Sequence, residues 1–254
     1  MRLMKRILSA AAVLALSASL LVGCSSGTAS SVPVSASSAA ESTVSSVEET
    51  ASSAVDENEA AAAQLLNDLT GSYQELWPVI LADEYKQTWL DDCTALVGEE
   101  NAEAAFEKLS SMVTSDVYGE DAVEAYANGG GAYFCGFTNS LATLTFDGET
   151  STISGTDKDG NVLFSHTYHY IGMEPVHGLY EFESDDADSG EFTYFFLAPD
   201  TSAETYHIEF RYGSDAEALS QYDAGEYAYW VASGISTDCD QTMIDNCIEL
   251  FCTE

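Results

Sequence analysis

Apolar and polar side chains alternate along residues 132–213, and this period of two constrains the fold more than any other feature of the chain. Aromatic and β-branched residues, which favour strands, dominate the alternating runs. The stretches FDGET, DKDGNV and ESDDADSGE separate the runs and have the composition of hairpin turns. The predicted strands are 132–137, 141–146, 150–155, 161–171, 178–184, 191–198 and 204–212. Seven short, evenly spaced strands predict a small antiparallel barrel or sandwich.

Helical patterns flank the predicted strands on both sides. Residues 58–127 contain ENEAAAAQLLNDL, which is rich in helix formers, and two further amphipathic stretches. The stretch NGGGAYF ends this segment and is a turn, because neither a Lys nor a preceding strand completes a phosphate-binding loop. The tail, with DAEALSQY and CDQTMIDNCIELF, is again predicted to be helical. We therefore expect a helical segment, then a meander of strands, then helices packed outside.

The first residues have the order of a secretory signal of the lipoprotein kind. Three basic residues precede an apolar run that ends in Leu21-Val22-Gly23-Cys24. This ending resembles a bacterial lipobox, in which the signal is cut before the Cys and that Cys carries lipid; the alternative is an uncleaved anchor. Either arrangement places the protein outside the cytoplasm, and we expect a lipid anchor on the bacterial cell membrane.

These features divide the chain into three parts. Residues 1–23 are the predicted signal peptide. Residues 24–56 are the lipidated Cys and a tether of Ser, Ala, Thr, Val and Glu, which bury too little apolar surface to offset the entropy of ordering. Residues 57–254 are long enough for one domain with a full core.

The charge of the chain excludes one class of partner. The formal net charge is -36, and after the signal only four of the seven basic residues remain against all 43 acidic ones. Such a field repels nucleic acid and anionic headgroups and attracts cations. No nucleic-acid partner is expected, and divalent ions are concentrated near any site that can hold them.

Five cysteines follow Cys24, at positions 93, 135, 239, 247 and 252. Five is an odd number, so at least one is free or pairs with another chain. An exported protein can form disulfides, but the spacing does not select a pairing and does not match a structural zinc knuckle. Burial or disulfide bonding is the preferred interpretation, and metal ligation is the alternative.

One strand carries residues of the metal-binding type. In AETYHIEFRYGSD, residues 203–215, His207 and Glu209 share one face with Arg211, whereas Ile208 and Phe210 take the other. The polar face points to water on an open sheet or into the lumen of a closed barrel. Side chains at i and i+2 lie about 7 Å apart, which is near enough to clamp one ion.

The other three histidines are weaker candidates. His166 and His169 lie on opposite faces of one predicted strand, so at most one can join a lumen site. His177 follows GMEP at a turn. A satisfied polar residue is the alternative for each.

Two blocks of the sequence resemble the ZinT (YodA) family of exported zinc-binding proteins. The stretch LNDLTGSYQELWPVI, residues 66–80, is similar to the opening of the family, and FLAPDTSAETYHIEFRYGSD is similar to its metal-binding hairpin. The similarity extends over about 65–252. It implies a lipocalin-like (calycin) antiparallel β-barrel preceded by a helical segment and followed by C-terminal helices. It also implies zinc as the bound metal, with a metal-uptake transporter component as a partner.

The resemblance carries over to particular residues only in part. The family's His-x-His pair falls on His207 and Glu209, and a carboxylate is an acceptable zinc ligand. The family's third His, three residues before Ala198, is Phe195 here, which cannot bind metal. The hairpin is also about three residues longer than usual. Tyr194, His177 and His169 are the candidate substitutes.

These observations leave two functions to compare. The first is a surface-anchored lipoprotein that binds zinc or a similar divalent metal and supports its capture or uptake in the cell envelope. The second is a calycin-type binding module for a small ligand or protein partner, with a metal site that no longer works. Catalysis is not expected, because the sequence has no nucleophile elbow, H-E-x-x-H motif or P-loop.

Overall fold

The computed structural model describes residues 57–198 and 207–253. The predicted signal, the lipidation position Cys24 and the predicted tether lie outside the described residues. Helix α1 covers 57–68. The other helices are α2 Leu76–Ile80, α3 Lys86–Val97, α4 Ala102–Met112, α5 Glu120–Ala127, α6 Ala216–Leu219 and α7 Gln241–Thr253, with 3₁₀ turns at Asp83–Tyr85 and Gly190–Phe192. In the part of the chain that the structure describes, no helix combines the length and the apolar character needed to cross a bilayer.

The strands form a closed antiparallel barrel of the up-and-down type found in lipocalins, which confirms the predicted fold class. Each strand pairs with the next along the chain, and β8 pairs with β1 to close the barrel. The strands are β1 Gly71–Glu75, β2 Thr143–Asp147, β3 Thr152–Thr156, β4 Val162–Met173, β5 Tyr180–Ser184, β6 Tyr194–Leu197, β7 His207–Gly213 and β8 Ala232–Ser236.

Two predictions about the elements are wrong. The predicted strand 132–137 makes only isolated bridges, from Phe134 to Thr114 and Trp230. Residues 71–75, predicted to be helical, form β1. Both helices predicted in the tail are present: α6 is a single turn between β7 and β8, and α7 follows the barrel.

Two hydrophobic cores lie on the two sides of the barrel wall. The lumen core is filled by aromatic side chains, and Phe182, Phe195 and Phe210 are at most 1% exposed. The outer core lies between the barrel wall and helices α2, α3 and α7. All five cysteines of the described residues lie in or against the outer core: Cys93, Cys135, Cys239, Cys247 and Cys252.

Candidate metal site

Strand β7 turns its apolar residues inward and its polar residues outward. Ile208 and Phe210 belong to the lumen core. His207, Glu209 and Arg211 therefore face away from the lumen. The sequence left two orientations open for this polar row, namely water and the lumen, and the structure shows a third. The row points outward, but His207 is 5% exposed and Arg211 is fully buried, because helices and loops cover this part of the wall.

His207 lies beneath the C-terminal helix. It pairs across the sheet with Ile235, a residue of the outer core. Its ring meets the ring of Phe251 edge-on, with centroids 5.8 Å apart. Helix α7 is amphipathic and packs its apolar side on α3 and the barrel, so the same packing buries the imidazole.

The charge of Glu209 acts on two cysteine thiols, those of Cys135 and Cys247. It pairs across the sheet with Ser233, whose backbone N–H donates to the carbonyl oxygen of Cys135 over 3.0 Å. Burial raises the pKa of the Cys135 thiol, and the negative charge of Glu209 raises it further. Burial, then Cys239, then Glu209 likewise raise the pKa of Cys247. Both thiols are therefore protonated at neutral pH, and a bound cation would favour their thiolate forms.

Arg211 ends the polar row as a structural anchor. Its guanidinium donates to the backbone carbonyls of Leu219 and Tyr227, and to that of Gln221 over 3.3 Å. It also lies over the ring of Tyr222, 4.2 Å from the centroid. Burial lowers the pKa of Arg211, but a guanidinium keeps its charge at any ordinary pH. The hydrogen bonds of Arg211 and its contact with Tyr222 hold residues 219–227 against β7.

His177 lies near the Arg211 end of the row, not at the His207 end. Its ring centroid is 3.8 Å from that of Tyr222, the residue beneath Arg211. The carboxylate of Glu174 accepts the backbone N–H groups of Val176 and His177, and lies 3.7 Å from the His177 ring nitrogen Nδ1. These contacts stabilise the turn at residues 174–177, in which the side chains of Glu174 and His177 are buried.

The remaining candidates for the third ligand lie elsewhere on the barrel. His169 is on the outer face of β4, where its Nδ1 is 2.7 Å from Oδ1 of Asp185 and its Nε2 is 4.0 Å from Glu183. The hydroxyl of Tyr194 donates to Glu183. Phe195 faces the lumen and stacks against Tyr212, so it lies on the opposite side of the wall from His207.

The structure therefore brings His207 and Glu209 together, and brings neither His177 nor His169 to them. Within residues 57–198 and 207–253, no group of three His, Cys, Asp or Glu side chains is arranged to hold a metal ion. The assignment of all four residues as ligands remains a prediction. The residue types fit zinc, since imidazole, carboxylate and thiol are its common ligands, but a third ligand requires a side chain to reorient.

Cys135 and Cys247 are the neighbours of this pair that the sequence did not single out. Their proximity to Glu209 results from the packing of α7 and of the segment before β2 on the barrel wall. The odd number of cysteines was a signal that one or more thiols stay unpaired. It did not indicate which ones lie beside β7.

Comparisons with known proteins give a limited match. No model of a known protein family matches the chain, and no curated protein is significantly similar to it. The Zn(II)-bound ZinT-like domain of AdcA from Streptococcus pneumoniae is 15% identical, with a TM-score of 0.45 over 71% of this chain and 87% of that chain. Zn(II)-bound AdcA from the same organism is 13% identical, with a TM-score of 0.42 over 72% of this chain and 34% of that one. The chain thus spans about a third of the longer AdcA structure.

Proposed function

We propose that the protein is an exported, lipid-anchored binder of zinc or a similar divalent metal, and that His207 and Glu209 are its ligands. One observation carries the proposal: the two side chains share the covered outer face of β7, where the charge of Glu209 also acts on the thiols of Cys135 and Cys247. The resemblance of the surrounding sequence to the ZinT family supports the same conclusion. In this role the protein would capture metal in the envelope for an uptake transporter.

The chemistry of this face suits zinc. Imidazole and carboxylate are zinc ligands, and either thiol becomes one when it loses its proton. Both thiols have raised pKa values in the metal-free protein because of burial and the charge of Glu209. Zinc binding by a thiol would release a proton, so retention should increase with pH. The acidic surface would raise the local concentration of divalent cations.

The test measures zinc retained by the purified full chain. The protein is stripped with a chelator, loaded with zinc, desalted and analysed by mass spectrometry for metal per chain. We expect one zinc ion per wild-type chain and a large loss in His207→Ala and in Glu209→Gln. His177→Ala and His169→Ala test the other two predicted ligands, and Cys135→Ser and Cys247→Ser test the thiols.

His166→Ala is the matched control. Its ring lies 2.7 Å from Asp186 at a different part of the barrel, so its loss should leave zinc retention unchanged. Wild-type protein that retains no stoichiometric zinc would contradict the proposal. Undiminished retention in His207→Ala would place the site elsewhere.

The proposed anchor has its own test. Wild-type protein produced in bacteria should incorporate a fatty-acid label and sediment with membranes. Cys24→Ser should do neither. A Cys24→Ser protein that still sediments would indicate an uncleaved signal instead of lipid.

A second candidate function is binding of a small ligand without metal. The lack of a three-ligand group within the described residues favours it, together with a groove of about 310 Å³ outside the barrel. Glu75, Trp77, Val113 and Phe134 are among the residues that line the groove. Under this alternative, wild-type protein retains no zinc, and an apolar ligand changes the tryptophan fluorescence of wild type but not of Trp77→Phe.

A further inference from the structure

Two cysteines of the outer core meet between the helices. Cys93 is on α3 and Cys252 is near the end of α7, and their sulfur atoms are 3.7 Å apart. Both side chains are buried, with exposures of 0% and 1%. The two helices pack directly on each other, so the contact is part of a close interface. Within the described residues, the other three cysteines form no such pair.

We propose that Cys93 and Cys252 form a disulfide that joins α3 to α7. A disulfide holds its sulfurs about 2.0 Å apart, so a side-chain rotation that brings them together by about 1.7 Å completes the bond. The bond would connect the helical segment before the barrel to the last helix after it. It would leave Cys135, Cys239 and Cys247 as thiols.

The chemistry requires a disulfide-bearing oxidant, either a small molecule or an oxidoreductase. The Cys93 thiolate attacks a sulfur of the oxidant, the S–S bond of the oxidant breaks, and one thiol leaves. The Cys252 thiolate then attacks the Cys93 sulfur of this mixed disulfide and releases the second thiol. The two cysteines lose two protons and two electrons, and the oxidant becomes two thiols.

Burial determines when this exchange can occur. Burial raises the pKa of Cys252, and the neighbouring Cys93 raises it further, so Cys252 contains little thiolate in the folded protein. A disulfide oxidant also has no access to side chains that are buried. The exchange therefore takes place while the chain is folding, or in a state in which α7 has moved away from α3.

The inference depends on export for its setting, since disulfides persist outside the cytoplasm. It does not depend on metal binding or on the ligands proposed above. A test on purified protein examines the disulfide without export and without metal, because the oxidant is added directly to the sample.

The full chain is unfolded in guanidinium with a reductant, then refolded with glutathione disulfide. The free thiols are alkylated, the protein is digested, and the peptides are identified by mass spectrometry. We expect one cross-linked pair that contains Cys93 and Cys252 and is lighter by two hydrogen atoms than the reduced peptides. Oxidation should raise the Tm by roughly 4–16 °C relative to the reduced protein.

Cys93→Ser and Cys252→Ser should abolish both the cross-link and the Tm difference, whereas Cys247→Ser should keep them. A different partner for Cys93 or Cys252, or a wild-type protein that refolds with both of these cysteines alkylated, would overturn the proposal. Since the peptide analysis uses wild type, a variant that fails to fold leaves the test intact. Zinc retention without the cross-link would contradict only the disulfide, and the cross-link without zinc would contradict only the metal site.

Discussion

Arg211 is the residue whose loss should most disturb the outer face of β7. It is fully buried, and its guanidinium is the donor for the backbone carbonyls of Leu219, Gln221 and Tyr227. Arg211→Met keeps most of the apolar volume and removes every one of these hydrogen bonds. The carbonyls of Leu219 and Tyr227 then remain buried without the donor that satisfies them in the wild type.

The magnitude of this effect follows from the contacts that are lost. A hydrogen bond to a charged group contributes about 1.5–3 kcal/mol, and a buried cation–π contact such as that with Tyr222 adds about 2 kcal/mol. Methionine avoids the cost of burying a charge, which offsets part of this loss. We expect a net decrease of about 3–5 kcal/mol in the free energy of unfolding. For a domain of this size the Tm should fall by roughly 6–20 °C.

Denaturant unfolding and calorimetry of wild type and Arg211→Met measure this change. Hydrogen exchange should also be faster in the segment 219–227, because its link to β7 is gone. Arg211→Lys should lose less stability than Arg211→Met, because lysine keeps the positive charge although it lacks the planar fork of donors. Lys86→Met is the exposed control; its pairing with Glu103 at 3.9 Å is worth at most about 1 kcal/mol. An Arg211→Met loss no larger than that of the control would refute the anchoring role.

Three further predictions concern the surrounding structure. Burial raises the pKa of Glu174, but a neighbouring histidine and two backbone N–H groups lower it by more. The ionised Glu174 carboxylate therefore stabilises the folded protein fully above its unfolded pKa of about 4.3, and this stabilisation is lost as the pH falls through the lower pKa of the folded state. The denaturant midpoint of Glu174→Gln should therefore change less in acid than that of wild type. Gly148→Ala should lower the free energy of unfolding by about 1–3 kcal/mol, because the added Cβ would lie 2.4 Å from the backbone of α1. Gly130→Ala is the control in the same denaturation assay and should be tolerated, because the nearest atom to its Cβ would be 3.6 Å away. Phe195→His should lower the Tm and leave zinc retention unchanged, because Phe195 faces the lumen core and not the polar row of β7.

Most of the strands alternate clearly, and this pattern predicted a small antiparallel barrel or sandwich; the family resemblance implied the barrel. The strand predicted at 161–171 is β4, Val162–Met173, and Phe164 and Tyr168 mark its lumen face. Hairpin turns between neighbouring strands then fix the antiparallel order, since short connections favour adjacent pairing. Local pattern was sufficient for this part of the fold.

The two strands that close the barrel lack such a pattern. Strand β1 has one buried apolar residue, Tyr73, and β8 reads ASGIS. Small residues suit β8, because a Cβ on Gly234 would lie 3.1 Å from Ile208. These residues become strands because they pair with each other and with their neighbours, which is a long-range effect.

The sequence predicted which residues form the candidate pair, but not which elements cover them. The spacing of His207 and Glu209 placed both on one face, and the structure agrees. Alternation cannot tell whether that face meets water or a helix. The cover is provided by α7, some 40 residues later in the chain, and by the segment that Arg211 anchors.

The packing of α7 connects the proposed metal site to the proposed disulfide. Phe251 contacts His207, and the next residue, Cys252, meets Cys93 on α3. If zinc binds at His207 as proposed, α7 would have to move away to release it, and a disulfide at the end of α7 would restrain that movement. Zinc transfer to a chelator should therefore be slower from oxidised wild type than from the double variant Cys93→Ser/Cys252→Ser, which lacks the link and adds no thiol. Equal rates, measured with a colorimetric chelator on proteins that carry the same amount of zinc, would show that α7 does not control access to the site.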